Sequence, residues 1–163
     1  MLTLIAAIGK NREIGYKNKI PWKISEDILH FKAYTTGKVV VMGGNTFLSI
    51  GKILPGRKCI VLSKSETGHL AVHAKSINDI LSIEHCYPEL VVIGGASVYN
   101  QTIELAHKLV ITHVDSEFKA DVFFPKIDPL VWKINTVVDG NSKEPYQYKF
   151  VEYIRNESMG IID

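Results

Sequence analysis

The feature that most constrains the fold of this chain is a set of short, mostly apolar runs, each four to seven residues long. Apolar runs of this kind are typical of strands that are covered on both faces, as in a parallel sheet. Helices are predicted between most of them, at 25–36, 44–50, 77–83 and 96–106. The predicted strands are Leu2–Ile8, Lys38–Met42, Lys58–Leu62, Leu90–Ile93, Lys108–Val114, Trp132–Val138 and Tyr148–Ile154.

Strands and helices alternate as far as about residue 106, and strands then follow one another directly. We therefore expect an α/β fold, a single domain over residues 1–163. Its central sheet should be mostly parallel, with an antiparallel C-terminal edge and helices on both faces. Residues 63–69 are predicted to form a loop, and residues 156–163 a frayed end.

Composition and charge exclude several classes of protein. The formal net charge of +2 is small and spread along the chain, so we expect no nucleic-acid or membrane partner. The first residues lack a basic region and are too short for a transmembrane span. Cys59 and Cys86 form no CxxC pair, and the histidines are scattered, which predicts reduced thiols and no metal site. We expect a cytoplasmic protein.

A helix start is predicted after Pro21, which ends a loop near Trp22. Ser25 is the predicted N-cap, and Glu26 and Asp27 then occupy the first turn, where the helix dipole favours negative charge.

Asp27 and Phe31 are four residues apart and share one face of this helix, with Ile24 and Ile28 on the inward side. If that face points inward, a carboxylate sits in an apolar wall, where a heterocycle with two parallel N–H donors could pair with it. The alternative is that Asp27 serves only the helix N-terminus from the solvent side.

Two strand-to-helix junctions carry paired glycines, Gly43-Gly44 and Gly94-Gly95. Such junctions present backbone N–H groups to a phosphate and could hold the two ends of a dinucleotide, although glycine pairs also serve plain tight turns. The polar segment Gly9–Lys19 is predicted to be a long loop, the usual form of an active-site lid.

Two further polar residues are candidates. Arg57 follows a Pro-Gly turn and could bind a carboxylate, although a turn arginine is more often solvated. Thr112 lies in an apolar strand and could contact a buried acid, although such a threonine often bonds only within the sheet.

Together these residues resemble the pattern of the bacterial dihydrofolate reductases, from Met1 to about Ile154. The combination of Pro-Trp, an acid five residues later, Leu-Pro-Gly-Arg and Ile-Gly-Gly-x-x-x-Tyr is specific to that family. The matching residues are Ile14-Gly15, Asn18, Pro21-Trp22, Asp27, Phe31-Lys32, Met42-Gly43, Thr46, Ser49-Ile50-Gly51, Leu54-Pro55-Gly56-Arg57-Lys58, Val92-Ile93-Gly94-Gly95, Val98-Tyr99, Thr112 and Asp121.

The resemblance implies NADPH-dependent reduction of 7,8-dihydrofolate to tetrahydrofolate. Asp27 would pair with the pterin and promote its protonation, with Thr112 as hydrogen-bond partner and Trp22 ordering a water. Arg57 would bind the glutamate α-carboxylate. The other implied substrate residues are Ile5, Ile28, Phe31, Lys32, Ile50, Lys52, Ile93 and Tyr99.

For the cofactor, the resemblance implies a nicotinamide site under the mobile loop, a pyrophosphate cradle at the glycine junctions, and a cis peptide between Gly94 and Gly95. The implied residues are Ala7, Ile14, Gly15, Asn18, Lys19, Ile20, Gly43, Asn45, Thr46, Ser63, Lys64, Lys75, Gly94, Gly95, Ala96, Ser97, Val98 and Tyr99.

Two of the departures from the family pattern concern the cofactor phosphates. Gly44 and Ser97 stand where many relatives have arginines that grip the cofactor phosphates, so Lys64 and Lys75 are the hypothetical replacements. We expect a monomer that also binds antifolates. Two alternatives stay open: a related reductase of another pterin or pyrimidine, and a folate- or nucleotide-binding module without catalysis.

Overall fold

The computed structural model describes residues 1–65, 71–141 and 145–156. Within them the helices are α1 (Ser25–Thr35), α2 (Gly44–Ile50), α3 (Ile77–Ile83) and α4 (Ala96–Thr102), with a 3₁₀ turn at Glu84–Cys86. The strands are β1 (Leu2–Ile8), β2 (Glu13–Gly15), β3 (Val39–Gly43), β4 (Lys58–Leu62), β5 (Val72–Ala74), β6 (Leu90–Gly94), β7 (Lys108–Val114), β8 (Val122–Phe123), β9 (Trp132–Asp139) and β10 (Tyr148–Arg155).

Eight of these strands form one sheet, in the order β5-β4-β3-β6-β1-β7-β10-β9. The pairings from β5 to β7 are parallel, and β10 is antiparallel to both β7 and β9. The predicted mostly parallel sheet with an antiparallel C-terminal edge is therefore confirmed. A second, two-stranded sheet pairs β2 with β8.

The side chains of β1 and β3 alternate between two apolar cores on opposite faces of the sheet. Leu4 and Val41 belong to one core, against which Ile80 of α3 and Val98 of α4 pack. Ile5, Val40 and Met42 belong to the other, which is covered by Phe31 of α1 and by Phe47 and Ile50 of α2. The predicted helices on both faces are confirmed. No helix in the described residues is long and apolar enough to span a membrane.

The predicted N-cap of α1 is wrong by one residue. Ile24 is the cap, with extended backbone, and its carbonyl accepts hydrogen bonds from the N–H groups of Asp27 and Ile28 at 3.1 and 3.2 Å. Ser25 is therefore already helical. Ile28 is not buried with Ile24 as predicted, because its exposed fraction is 55%, against 1% for Ile24.

Two other predicted boundaries need correction. The segment 9–19 is not loop throughout, because Glu13–Gly15 pairs with Val122–Phe123, a partner more than a hundred residues away. The helix predicted over 96–106 ends at Thr102. Beyond that point the carbonyls of Ile103, Glu104 and Ala106 accept hydrogen bonds from Arg155. The predicted loop at 63–69 and the predicted frayed end at 156–163 extend outside the described residues.

Candidate functional site

The Asp27 side chain points toward the sheet rather than to solvent. Its Oδ1 accepts a hydrogen bond from Thr112 Oγ1 at 2.6 Å. Thr112 is 2% exposed and lies on β7, beside Ala7 of β1 and Phe150 of β10. The interpretation in which Asp27 serves only the helix N-terminus is therefore wrong. Packing of α1 on the sheet brings Asp27 to Thr112 of β7, 85 residues away in the chain.

Burial controls the protonation of Asp27. Loss of hydration raises the pKa of its carboxyl above the ordinary 3.8, while the Thr112 hydrogen bond and the nearby His30 act in the opposite direction. His30 is itself half-buried against Phe150, with ring centroids 4.3 Å apart, and burial lowers its pKa. The site thus favours a carboxyl that holds its proton at higher pH than a solvated aspartate.

Apolar side chains line the same face of the sheet near Asp27. Ile5 belongs to the core beneath α1 and α2, and Phe31, Ile50 and Ile93 pack against that core while staying partly exposed. This is the arrangement expected for the wall of an apolar cleft. Tyr99 belongs to the core on the opposite face, and its hydroxyl donates to the Ile5 carbonyl at 2.7 Å.

Arg57 is held by two contacts. Its Nε donates to the Pro55 carbonyl at 3.0 Å, and its Nη1 donates to Thr35 Oγ1 at 3.1 Å. Thr35 is fully buried and donates its own proton to the Phe31 carbonyl at 2.8 Å, so its lone pairs face the guanidinium. Sequence reasoning missed Thr35, because a threonine near a helix end carries no signal of the arginine that reaches it. Lys32 and Lys52 are exposed.

The two glycine junctions meet at the ends of neighbouring strands, β3 and β6. A methyl group on Gly43 would lie 3.1 Å from Val98 Cγ2, and one on Gly95 would lie 3.3 Å from Thr46 Oγ1. The peptide between Gly94 and Gly95 is cis, as the resemblance predicts. Because a side chain at Gly43 or Gly95 would press against these neighbours, the surface there is formed by backbone and the Thr46 hydroxyl, which we call the glycine cradle.

The segment that follows β4 approaches the start of α2. A methyl group on Gly44 would lie 3.1 Å from Ser63 Oγ, so β4 passes close to the start of α2. Lys64, Lys75, Asn45 and Ser97 are exposed. The Lys75 backbone is held by Asp79, whose Oδ2 accepts its N–H at 2.9 Å.

The segment 14–20 is tied to the segment after β7. The Gly15 carbonyl accepts the Asp121 N–H at 3.0 Å, and the Lys17 N–H donates to Asp121 Oδ2 at 3.0 Å. Ile14 packs against the core, whereas Asn18, Lys19 and Ile20 are exposed. Trp22, 8% exposed, stacks against Phe118 with ring centroids 4.8 Å apart.

A broad groove of about 1280 Å³ lies elsewhere, between the end of β1, β7, β10 and residues 126–132, and none of the predicted site residues lines it. Among the predicted residues, the structure brings Thr112 to Asp27 and brings Thr46 to Gly94 and Gly95. In the described ranges, no cluster of three potential metal ligands occurs.

Comparisons with known proteins agree with this arrangement. The family model for dihydrofolate reductase matches residues 1–155. The chain is 36% identical to the dihydrofolate reductase of Bacillus subtilis, with 97% of this chain and 96% of that protein covered. It is 42% identical to that of Neisseria meningitidis serogroup B, with 94% and 98% covered. A solved structure, dihydrofolate reductase from Enterococcus faecalis complexed with NADP(H) and RAB-propyl, superposes with a TM-score of 0.89 at 31% identity, with 96% of each chain covered. The chain belongs to the dihydrofolate reductase family.

Proposed function

We propose that Asp27 is the residue through which this chain assists protonation of its substrate. The chain is an oxidoreductase that reduces 7,8-dihydrofolate to 5,6,7,8-tetrahydrofolate with NADPH. The observation that carries the proposal is the 2.6 Å hydrogen bond from Thr112 to Asp27 in an apolar cleft. A carboxylate in that position can accept two parallel N–H donors from a pterin ring and stabilise the ring's protonated form.

Residues around this carboxylate have separate proposed roles. Thr112 donates to Asp27 Oδ1, which can accept a second hydrogen bond, so both carboxylate oxygens can accept N–H groups of the ring. Ile5, Ile28, Phe31, Ile50 and Ile93 supply apolar surface that excludes water, which strengthens the pairing. Trp22 closes the cleft beside Asp27 and orders a water there, and Tyr99 supports the Ile5 backbone.

Arg57 is proposed to bind the α-carboxylate of the substrate's glutamate, with Lys32 and Lys52 on the rim. Pro55 and Thr35 already orient its Nε and Nη1. Because a guanidinium binds a carboxylate best as a preorganised fork, this orientation favours that pairing. The same cleft is proposed to take antifolates.

The glycine cradle fits the proposed pyrophosphate site. Gly95 has no side chain near Thr46, so a phosphate can approach the backbone N–H groups directly. NADPH, when bound, supplies the hydride. Residues of the cradle would hold its pyrophosphate, and residues 14–20 with Ala7 would cover its nicotinamide. Ser63, Lys64 and Lys75 would hold the 2′-phosphate. The proposed cradle residues are Gly43, Asn45, Thr46, Gly94, Gly95, Ala96, Ser97, Val98 and Tyr99.

We also propose a single-domain cytoplasmic monomer without nucleic-acid partners. One chain supplies all the proposed site residues, the net charge is only +2, and both cysteines are free. Sedimentation as a species of 18.2 kDa would support the monomer, and a stable dimer would refute it.

Replacing Asp27 by Asn tests the central proposal. We expect Asp27→Asn to fold and to lose about a hundredfold or more of its turnover at neutral pH, the usual contribution of a positioned acid. Glu26→Gln, which removes the neighbouring carboxylate in the same turn, should keep the rate within about twofold. Wild-type turnover in Asp27→Asn would refute the role assigned to Asp27.

A further inference from the structure

Glu13 is a buried carboxylate that the proposed catalytic machinery does not use. Its side chain lies on β2 and is 1% exposed. A charged group is rarely buried so completely unless its oxygens are satisfied by hydrogen bonds, because loss of hydration costs several kcal/mol otherwise. The contacts of Glu13 therefore indicate what it holds in place.

Backbone N–H groups from two segments bind the two oxygens of this carboxylate. Phe118 donates its N–H to Oε2 at 2.6 Å, and Asn11 donates its N–H to Oε1. A methyl group on Gly9 would lie 2.8–2.9 Å from the carboxylate atoms, so glycine makes the room that Glu13 occupies. The carboxylate thus joins the 9–15 segment to the segment that follows β7.

The residue that Glu13 holds from the second segment is the one that packs on Trp22. The Phe118 and Trp22 rings lie 4.8 Å apart at an interplanar angle of 52°. Trp22, Ile24 and partly buried Ala7 and Phe118 belong to one apolar cluster. A continuous set of contacts therefore runs from Glu13 through Phe118 to Trp22, five residues before Asp27.

We propose that Glu13 is a positioning residue that acts through Phe118 to hold Trp22 against the reaction site. This inference rests on the proposed function, since it gives Trp22 its place beside Asp27. The Asp121 contacts hold Gly15 and Lys17 of the same segment, whereas Glu13 contacts Phe118, whose ring packs on Trp22. The carboxylate suits the task because both of its oxygens accept hydrogen bonds.

Two replacements of Glu13 separate this role from a purely structural one. Gln keeps the shape but turns an N–H₂ group toward one of the two N–H donors, so one hydrogen bond is lost. Leu removes both. Glu117→Gln is the matched control, because Glu117 is exposed and neighbours Phe118.

The experiment measures three quantities: the rate of single-turnover hydride transfer, KM for dihydrofolate and the wavelength of tryptophan emission. All variants carry Trp132→Phe, so that Trp22 is the only tryptophan and the source of the emission. We expect Glu13→Gln to slow hydride transfer about tenfold, because small displacements of a positioned group are costly. KM should stay within about twofold, and Trp22 emission should shift to longer wavelength as the stack with Phe118 loosens. Glu117→Gln should change none of these.

Phe118→Leu provides a second test that leaves the Glu13 hydrogen bonds in place. It should reproduce the slower hydride transfer and the emission shift, and the double variant with Glu13→Gln should be less than additive, because both act on one contact. Wild-type hydride transfer and Trp22 emission in folded Glu13→Gln, or in Phe118→Leu if the Glu13 variants do not fold, would overturn the proposal. Failure of the proposed function would appear instead as wild-type turnover in Asp27→Asn, with the Trp22 emission response intact.

Discussion

Burial of Asp27 favours the protonated form of its carboxyl more than full solvation would. Because burial raises its pKa above 3.8, the folded chain binds this proton more tightly than the unfolded chain does. The resulting stabilisation is fully present below pH 3.8 and is lost as the pH rises through the folded-state pKa. The carboxylate therefore lowers the free energy of unfolding at neutral pH.

Removing the charge of Asp27 should therefore change the stability of the protein. Asn carries no charge and can still accept the Thr112 hydrogen bond, so Asp27→Asn should raise the free energy of unfolding near neutral pH. The gain should shrink as the pH approaches 3.8, where the wild-type residue is also neutral. Urea unfolding at the two pH values measures it, with exposed Asp139→Asn as control. A variant less stable than the wild type near neutral pH would contradict the account.

Arg57 carries a second prediction at the scale of the single residue. Arg57→Leu should weaken dihydrofolate binding by about 1.5–3 kcal/mol, because it removes a charge-assisted pair. That corresponds to a KM about 10- to 150-fold higher. A dihydropterin without the glutamate should show no such change. Equal KM values for wild type and variant with dihydrofolate would argue against the assigned contact.

The sequence predicts the position of a single residue well when neighbouring residues determine it, and poorly when a distant contact does. The position of Asp27 near the start of α1 follows from Pro21 and from the polar residues after it. Its contact with Thr112 spans 85 residues; the strand pattern offered Thr112 as a partner for some buried acid, and the family resemblance paired it with Asp27. Glu13 carried no signal at all, because its partner Phe118 is 105 residues away and the contact is made by a backbone N–H.

At the scale of elements, buried strands were the easiest to predict and short ones the hardest. Continuous apolar runs defined β1, β4 and β7 at their observed bounds. β2 has three residues and β8 has two, and the two strands pair with each other. Because this pairing joins distant segments, no local sequence pattern predicts either strand. The end of α4 is likewise set by a distant residue, Arg155.

The junction of β4 with the segment after it carries a prediction about the cofactor. Gly44 brings no positively charged side chain to its place beside Ser63, so the proposed 2′-phosphate site needs its positive charge from other residues. Lys64→Ala and Lys75→Ala should each raise KM for NADPH by about 3- to 10-fold and leave KM for NADH nearly unchanged. Lys126→Ala, in the groove away from the cleft, is the control. An equal effect on both cofactors would contradict this assignment.

At the scale of the whole molecule, the parallel sheet assembles the site. β3 and β6 are separated by more than 40 residues in the chain but are neighbours in the sheet, so their glycine junctions meet. β1 and β7 bring Ile5 and Thr112 beside α1. The order of strands and helices was enough to predict that ligands bind where parallel strands end. The register that aligns particular side chains required the structure.

The central claim is that the buried carboxyl group of Asp27 assists protonation of the substrate. The most direct measurement is the pH dependence of single-turnover hydride transfer for the wild type and Asp27→Asn. We predict that the wild-type rate falls as the pH rises through the raised pKa of Asp27, and that Asp27→Asn lacks this ionisation. The variant should be slower at neutral pH and approach the wild type only where dihydrofolate arrives already protonated. The same ionisation and rate in both proteins would contradict the claim.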